Sequence, residues 1–345
     1  MKKSKKKSPS KSKTILILIG VIIVATIALV ILNTAKRVTV AEDTRIFIPT
    51  GASYSDLTDT LDHYNIVGQK STFNLMARAR GLNKHVKSGS YVVKTGMSYI
   101  QLIQKLYTGN QTPIRLTIGK YRTLRQLCDG VAAKMEFSSD TLYKVLTDKD
   151  FLDVYHLTPQ TVIGAFTQNT YEVYWNSSPK RFVERMMMET DAFWNDDRTK
   201  QLKAMGLSRN QVVTLASIVE EETNKNGEKA DIASVYLNRL RKGMRLEADP
   251  TVKYAIGDFS LRRILERHLQ TPSPYNTYLN QGLPPGPICL PSVESIDAVL
   301  KNKQTNYIYF CAKEDFSGYH NFATTYQQHL ANAARYHKAL NARKI

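Results

Sequence analysis

The sequence predicts an α+β protein: a single N-terminal transmembrane helix, a small α/β region, and a larger, mostly helical domain with short strands. Three observations carry this. Residues 15–32 form an apolar run of eighteen without a charge. Within 38–113, a short strand followed by a glycine turn and a serine-led helix occurs twice. From 124 onward apolar residues recur mainly at helical spacing, interrupted by a proline-rich stretch at 271–291.

The 345 residues are 42% hydrophobic and 23% charged, which excludes collagen-like, low-complexity and wholly disordered chains. Cys128, Cys289 and Cys311 are too few and too scattered for a disulfide scaffold. The absence of CxxC leaves no zinc ribbon or thioredoxin-type site. The net charge is +18, and the seven lysines within residues 1–13 carry a large part of it, leaving +11 for the rest.

The apolar run rises roughly 27 Å as a helix, close to the ~30 Å hydrocarbon core, where only a helix satisfies its backbone. It exceeds a signal peptide's usual apolar core of about 7–15 residues. The following Asn33-Thr34-Ala35-Lys36-Arg37 is a poor cleavage site, so an uncleaved anchor is expected. The positive-inside rule places the N-terminus in the cytoplasm. The expected organisation is a cytoplasmic basic tail (1–14), a transmembrane helix (15–32), an extracytoplasmic α/β region (33–113) and the larger domain (114–345). Nucleic acid is scarce outside the membrane. The lysine tail therefore reads as a topology signal touching anionic lipid, with no nucleic-acid partner. The +11 remainder suits either an anionic envelope polymer or a solvated basic surface.

In chain order, 44–48 reads as a strand, 49–51 as a turn, and Ser53 or Ser55 as the cap of a helix bearing Leu57 and Leu61. A helix over 73–80 stops at Gly81, a strand covers 91–93, and a helix from Ser98 to Leu106 stops near Gly109. Residues 114–118 form a strand and a helix starts at Leu124. Residues 138–205 read as helices with loops around Pro159 and Pro179; Met186, Met187, Met188, Phe193 and Trp194 there read as packing residues. Ser208 and Gln211 fit a capping box. The helix they open buries a stripe of Val212, Leu215, Ala216, Val219 and Thr223. Another helix over 229–242 stops at Gly243, and Asp249 caps a short helix with Pro250 at its first position. The stretch 271–291 holds six prolines and reads as a rigid, partly extended loop. A helix begins at Ser292, a strand covers 307–311, and a last helix covers 322–340.

Glu220, Glu221 and Glu222 end the helix that Ser208 opens. Successive residues step ~100° around the axis, so the three cannot share one environment. Glu220 directly follows the buried Ile218-Val219 pair. Partial desolvation there predicts a raised carboxyl pKa, which a general acid needs. A solvated acidic helix end is the other reading, although acids near a C-terminus oppose the macrodipole by ~0.3–1 kcal/mol each. In the proline loop, Tyr275, Asn276 and Tyr278 suit a sugar, with aromatic faces for the ring and polar groups for its hydroxyls. A proline-braced structural loop accommodates the same residues. His320 and His329 would face opposite ways on a helix, and there is no HExxH, so no metal site is expected. No glycine-rich phosphate loop or GxSxG elbow is present, and no cofactor is expected.

Six stretches carry a family resemblance: residues 215–223 (LASIVEEET), 233–240 (ASVYLNRL), 243–252 (GMRL with DPTV), 271–278 (TPSPYNTY), 282–288 (GLPPGPI) and 320–322 (HNF). In this order they resemble the endolytic murein transglycosylases of the MltG-like (YceG-like) family. The resemblance covers nearly the whole chain. It implies a LysM-like subdomain in the α/β region and a transglycosylase catalytic domain over 114–345. It implies cleavage of nascent peptidoglycan glycan strands between N-acetylmuramic acid and N-acetylglucosamine, leaving 1,6-anhydromuramic acid ends. The family pattern implies Glu220 as the catalytic residue, with Glu222 as the fallback. One carboxyl would act first as acid on the glycosidic oxygen, then as base on the muramic C6 hydroxyl. A second carboxylate is then not required. By matching position, Asn238 and Arg239 are expected to brace the substrate site, and Asp249 and Thr251 to shape it. Tyr275, Asn276 and Tyr278 are expected to line it, with His320 nearby. Gly119-Lys120-Tyr121 departs from the family's usual Pro-Glu-Gly, and no role is carried to it. Expected partners are glycan strands, the cytoplasmic membrane and cell-wall synthases. The competing readings are a non-enzymatic peptidoglycan-binding module that recruits synthases, and a tethered nucleic-acid binder resting on charge alone.

Overall fold

The computed structural model describes residues 15–16, 18–24, 36–261 and 263–343. The described residues of the expected membrane span are helical and exposed; the rest of 15–32, and the basic tail, lie outside the described residues. No described helix is long and apolar enough to cross a membrane. The chain divides into two compact units. One holds the described residues up to Ile114 together with Tyr174–Asn176; the other holds Arg115–Val173 and the chain from Ser177 onward.

In the first unit, β1 (Thr44–Ile48) and β2 (Gly89–Val93) pair antiparallel with Ile46 opposite Tyr91. Alternation sends Ile46, Ile48, Tyr91 and Val93 inward. Three helices cover that face: α1 (Tyr54–His63), α2 (Lys70–Ala79) and α3 (Tyr99–Thr108). Ser53 with Asp56 and Ser98 with Gln101 form capping boxes for α1 and α3. Gly109 ends α3 at φ 71°, a left-handed conformation cheap only for glycine. The two sequence units of strand, turn and helix thus share one antiparallel strand pair.

The second unit opens with β3 (Ile114–Ile118), α4 (Leu124–Ala132), α5 (Ser139–Thr147), α6 (Lys149–Asp153) and β4 (Asn169–Val173), β3 pairing with β4. β4 corrects the helical expectation for 138–205: Tyr171 and Val173 are buried and their neighbours exposed, a two-residue period. Pro179 is also not a loop breaker. It sits in the first turn of α7 (Pro179–Phe193), where its missing N–H costs nothing, and α8 (Asp196–Met205) follows. Met186, Met187 and Trp194 are buried, whereas Met188 is 68% exposed.

The core is built on α9 (Arg209–Glu222), which packs between α10 (Lys229–Arg241) and α13 (Val293–Leu300). Residues 212–219 of α9 are buried all round, more than the single stripe expected. Between α10 and α13 lie α11 (Asp249–Ile256), α12 (Glu266–Leu269) and the proline loop. That loop is tied to α9, because Ser217 Oγ accepts the Ile288 N–H at 3.0 Å. Strands β5 (Tyr309–Ala312) and β6 (His320–Ala323) pair antiparallel, and α14 (Tyr326–Ala342) closes the described chain.

Candidate active site

Three carboxylates end α9, and the 100° step sends each to different partners. Glu220 points to the start of α13. Its Oε2 accepts Lys229 Nζ at 3.0 Å, Ser295 Oγ at 2.6 Å and the Ser292 hydroxyl. No hydrogen bond to its Oε1 occurs among the described residues. Lys229 and Glu220 side chains are 5% and 12% exposed, so the pair is nearly dry. Burial pushes the Glu220 carboxyl up, but these donors outweigh it and hold it below the ordinary range. This corrects the expectation of a raised Glu220: desolvation is real, yet the site supplies more positive and hydrogen-bonding partners than burial removes.

Glu221 turns toward the segment after β3. Arg122 grips it through Nε and Nη2, both at 3.0 Å, and Lys120 Nζ lies 3.0 Å from Oε1. Again burial is outweighed and the carboxyl is lowered. Lys120 also donates to the Glu220 carbonyl, one of the helix-end acceptors, so these two cations offset the dipole that the acids oppose.

Glu222 forms no ion pair among the described residues. Burial pushes it up to about 7; the Tyr236 hydroxyl donates to Oε1 and lowers it, the charge of Asp249 raises it further, and that of Lys253 lowers it somewhat. The residue as a whole is half-buried, while its carboxyl lies inside. Asp249 is exposed and accepts the Tyr278 hydroxyl at 2.7 Å. The charges of Asp249 and Glu222 both raise the Tyr278 phenol, after burial. Glu222, Tyr236, Asp249 and Tyr278 therefore form one electrostatic neighbourhood.

Asp249 is not the cap expected of it. Ala248 holds the cap position, and Asp249 is the first helical residue with its carboxylate released toward Tyr278. Thr251 is fully buried and bonds Thr277 Oγ1 at 2.9 Å, which latches α11 to the proline loop. Asn276 is also fully buried: its Nδ2 donates to the Leu269 and Thr271 carbonyls, each at 2.9 Å, and its Oδ1 accepts the Tyr278 N–H. These hydrogen bonds hold the polar atoms of both residues within the fold: Thr251, expected to shape the site, braces α11, and Asn276, expected to line it, braces the loop that presents Tyr278. Asn238 donates to the Thr305 and Tyr307 carbonyls, and buried Arg239 to those of Ile308, Arg245 and Leu246. These bonds tie α10 to the segments around 245 and 305–308. Tyr275 is half-buried against Tyr254, ring centroids 4.6 Å apart. His320 meets Glu228 at 2.7 Å, and Thr223 donates to the same Glu228, so this trio fastens the end of α9 to β6.

None of Lys229, Ser292, Ser295, Tyr236, Lys120 and Arg122 was among the site residues expected from sequence. Lys229 alone left a local signal: a lysine in the first turn of a helix opposes the macrodipole and needs an anion nearby. All three cysteines are free thiols.

The fold and site define a class: an α+β protein whose central buried helix ends in carboxylates beside a proline-braced loop presenting tyrosine. The sequence profile of the YceG-like family matches residues 46–335, and the chain belongs to this family. It is 30% identical over 312 residues to an endolytic murein transglycosylase of Bacillus subtilis, covering 86% of this chain and 85% of the relative. A Streptococcus pneumoniae protein of the same name is 25% identical over 334 residues, 88% of this chain; the chain spans 59% of that relative's length. The crystal structure of a yceG-like protein from Listeria monocytogenes superposes with a TM-score of 0.55 at 29% identity, covering 84% of this chain and 99% of that one.

Proposed function

We propose that this chain is a membrane-anchored endolytic transglycosylase that cuts nascent peptidoglycan between N-acetylmuramic acid and N-acetylglucosamine and leaves 1,6-anhydromuramic ends. Its family membership and its relatives' names support the activity. The observation that carries the mechanism is Glu222, a buried carboxyl that burial pushes up to about 7, bonded by the Tyr236 hydroxyl in the neighbourhood of Asp249 and Tyr278. We infer that Glu222, the fallback on sequence grounds, moves the proton, and that Glu220 stays ionised on Lys229 and the two serines.

In the first half, Glu222 gives its proton to the glycosidic oxygen as the bond to muramic C1 breaks. In the second, the resulting carboxylate takes the C6 hydroxyl proton as O6 bonds to C1. Glu222 ends as it began, and no water is consumed. The nucleophile belongs to the substrate, so the tight fixation of Glu220 and Glu221 is no obstacle. A LysM-like reading of the first unit is supported by its order of β1, α1, α2 and β2 around one antiparallel pair. The eighteen-residue apolar run supports the anchor.

The test is mass spectrometry of glycan ends released in ¹⁸O-water. Anhydro ends without label are expected; labelled reducing ends would establish hydrolysis and overturn the mechanism. Glu222→Gln should remove product while Glu220→Gln retains part of it, and the reverse order would return the role to Glu220.

A further inference from the structure

The first unit carries a second polar cavity that the cleavage chemistry does not use. It is an open groove of about 800 Å³ lined by Arg37, Arg80, Lys94 and Lys105, with the amides of Gln104 and Asn110. None of these four cations has a carboxylate partner among the described residues. Arg37 donates to the Gly96 carbonyl and Lys105 to Thr112 Oγ1 at 3.2 Å, both neutral acceptors. Asp43 accepts the N–H of lining residue Thr95 at 2.9 Å. Burial, then the charges of Lys94 and Arg45, lower the Lys105 ammonium. Like charges are thus gathered without neutralisation, which favours an anion there.

The position of the cavity on the chain names the anion. Arg37 lies five residues beyond Leu32, the end of the apolar run, a reach of at most about 17 Å. The incoming chain is fastened to the cavity wall itself: Arg37 forms a bridge with Ser98, and the Lys36 carbonyl accepts the Tyr99 N–H at 2.9 Å. A wall so close to the end of a membrane span lies at the headgroup layer, where phosphates are concentrated.

We propose that this basic cavity binds the phosphate of anionic lipid headgroups in the outer leaflet and so docks the first unit on the bilayer. The inference rests on the anchored reading above. The full chain is reconstituted in nanodiscs of phosphatidylglycerol with phosphatidylcholine, or of phosphatidylcholine alone, and amide exchange is followed over 94–105. Slower exchange is expected in the anionic discs only, reversed by 0.5 M salt as screening shortens to a few ångströms. Lys94→Gln with Lys105→Gln should abolish the difference, and Lys94→Arg with Lys105→Arg should keep it. Equal exchange in both discs overturns the inference while leaving the anchor intact. Slowing in phosphatidylcholine discs on adding free glycerol phosphate makes this a soluble-phosphate site and overturns the lipid assignment. A chain that separates from the discs on flotation removes the anchor, and the inference with it.

Discussion

Glu220 and Glu222 stand two residues apart, yet the same substitution should move them in opposite directions. Glu222 holds its proton to about pH 7 in the folded state and to an ordinary 4.5 when unfolded. The folded state therefore binds more protons between these values, and this group's contribution falls as pH rises through that window. Glu222→Gln removes the penalty. It should raise stability at pH 8 by at most about 3 kcal/mol, read as a higher Tm, while lowering product release roughly 100- to 10,000-fold. Activity of the native chain should fall above about pH 7 as the acid form is lost. Glu220 has a lowered carboxyl, so its contribution is present above the unfolded value and is lost as pH falls through the folded one. Glu220→Gln leaves buried Lys229 without its counter-charge and should cost on the order of 3 kcal/mol. A stabilised Glu220→Gln beside a destabilised Glu222→Gln in thermal melts would refute this assignment.

At the scale of elements, the ends of α9 and α13 are one construction. Ser292 caps α13 by accepting the Ser295 N–H, and the same hydroxyl donates to Glu220. Ser292→Ala should cost about 1 kcal/mol for the cap alone, plus the loss of a donor to a carboxylate. Ser295→Ala removes a donor and spares the cap, so a smaller fall in Tm is expected. The proline loop offers a second case. Asn276→Ala strands two partly buried carbonyls, at about 1 kcal/mol each, and frees Tyr278 from its turn. Both kcat and Tm should fall; a rise in KM alone would indicate that Asn276 touches substrate. The capping box of α9 was legible in sequence because it joins residues three apart, and the serine starts of α1 and α3 were read without their partners Asp56 and Gln101. The exposure of Asp249 was not legible, because one residue's difference in the start of α11 turns a cap into a carboxylate that accepts the Tyr278 hydroxyl.

At the scale of the whole molecule, the chain forms two units, and the return of Tyr174–Asn176 to the first was invisible in sequence. Trp175 packs on Phe47 at 4.9 Å between ring centroids, and Asn176 donates to Ser88 Oγ at 2.9 Å. Such contacts span more than eighty residues and leave no periodic trace. The anchor is tested at the same scale. The full chain should resist carbonate extraction, and deletion of 15–32 should release it to the supernatant; a full chain that extracts would refute membrane anchoring.

Local rules settled much of this protein from its sequence alone. Helix starts and stops, the bracing prolines, the apolar run and the acidic end of α9 all follow from side chains acting on backbone within one turn. Which of the three acids keeps its proton was decided only in three dimensions. Each owes its state to its surroundings in the fold: Glu220 to Ser292, Ser295 and Lys229, which outweigh its burial, Glu221 likewise to Arg122 and Lys120, and Glu222 to burial, which the Tyr236 hydroxyl only partly offsets and the charge of Asp249 reinforces. Coulomb forces and desolvation act through space, so neighbours in sequence can stand in opposite environments.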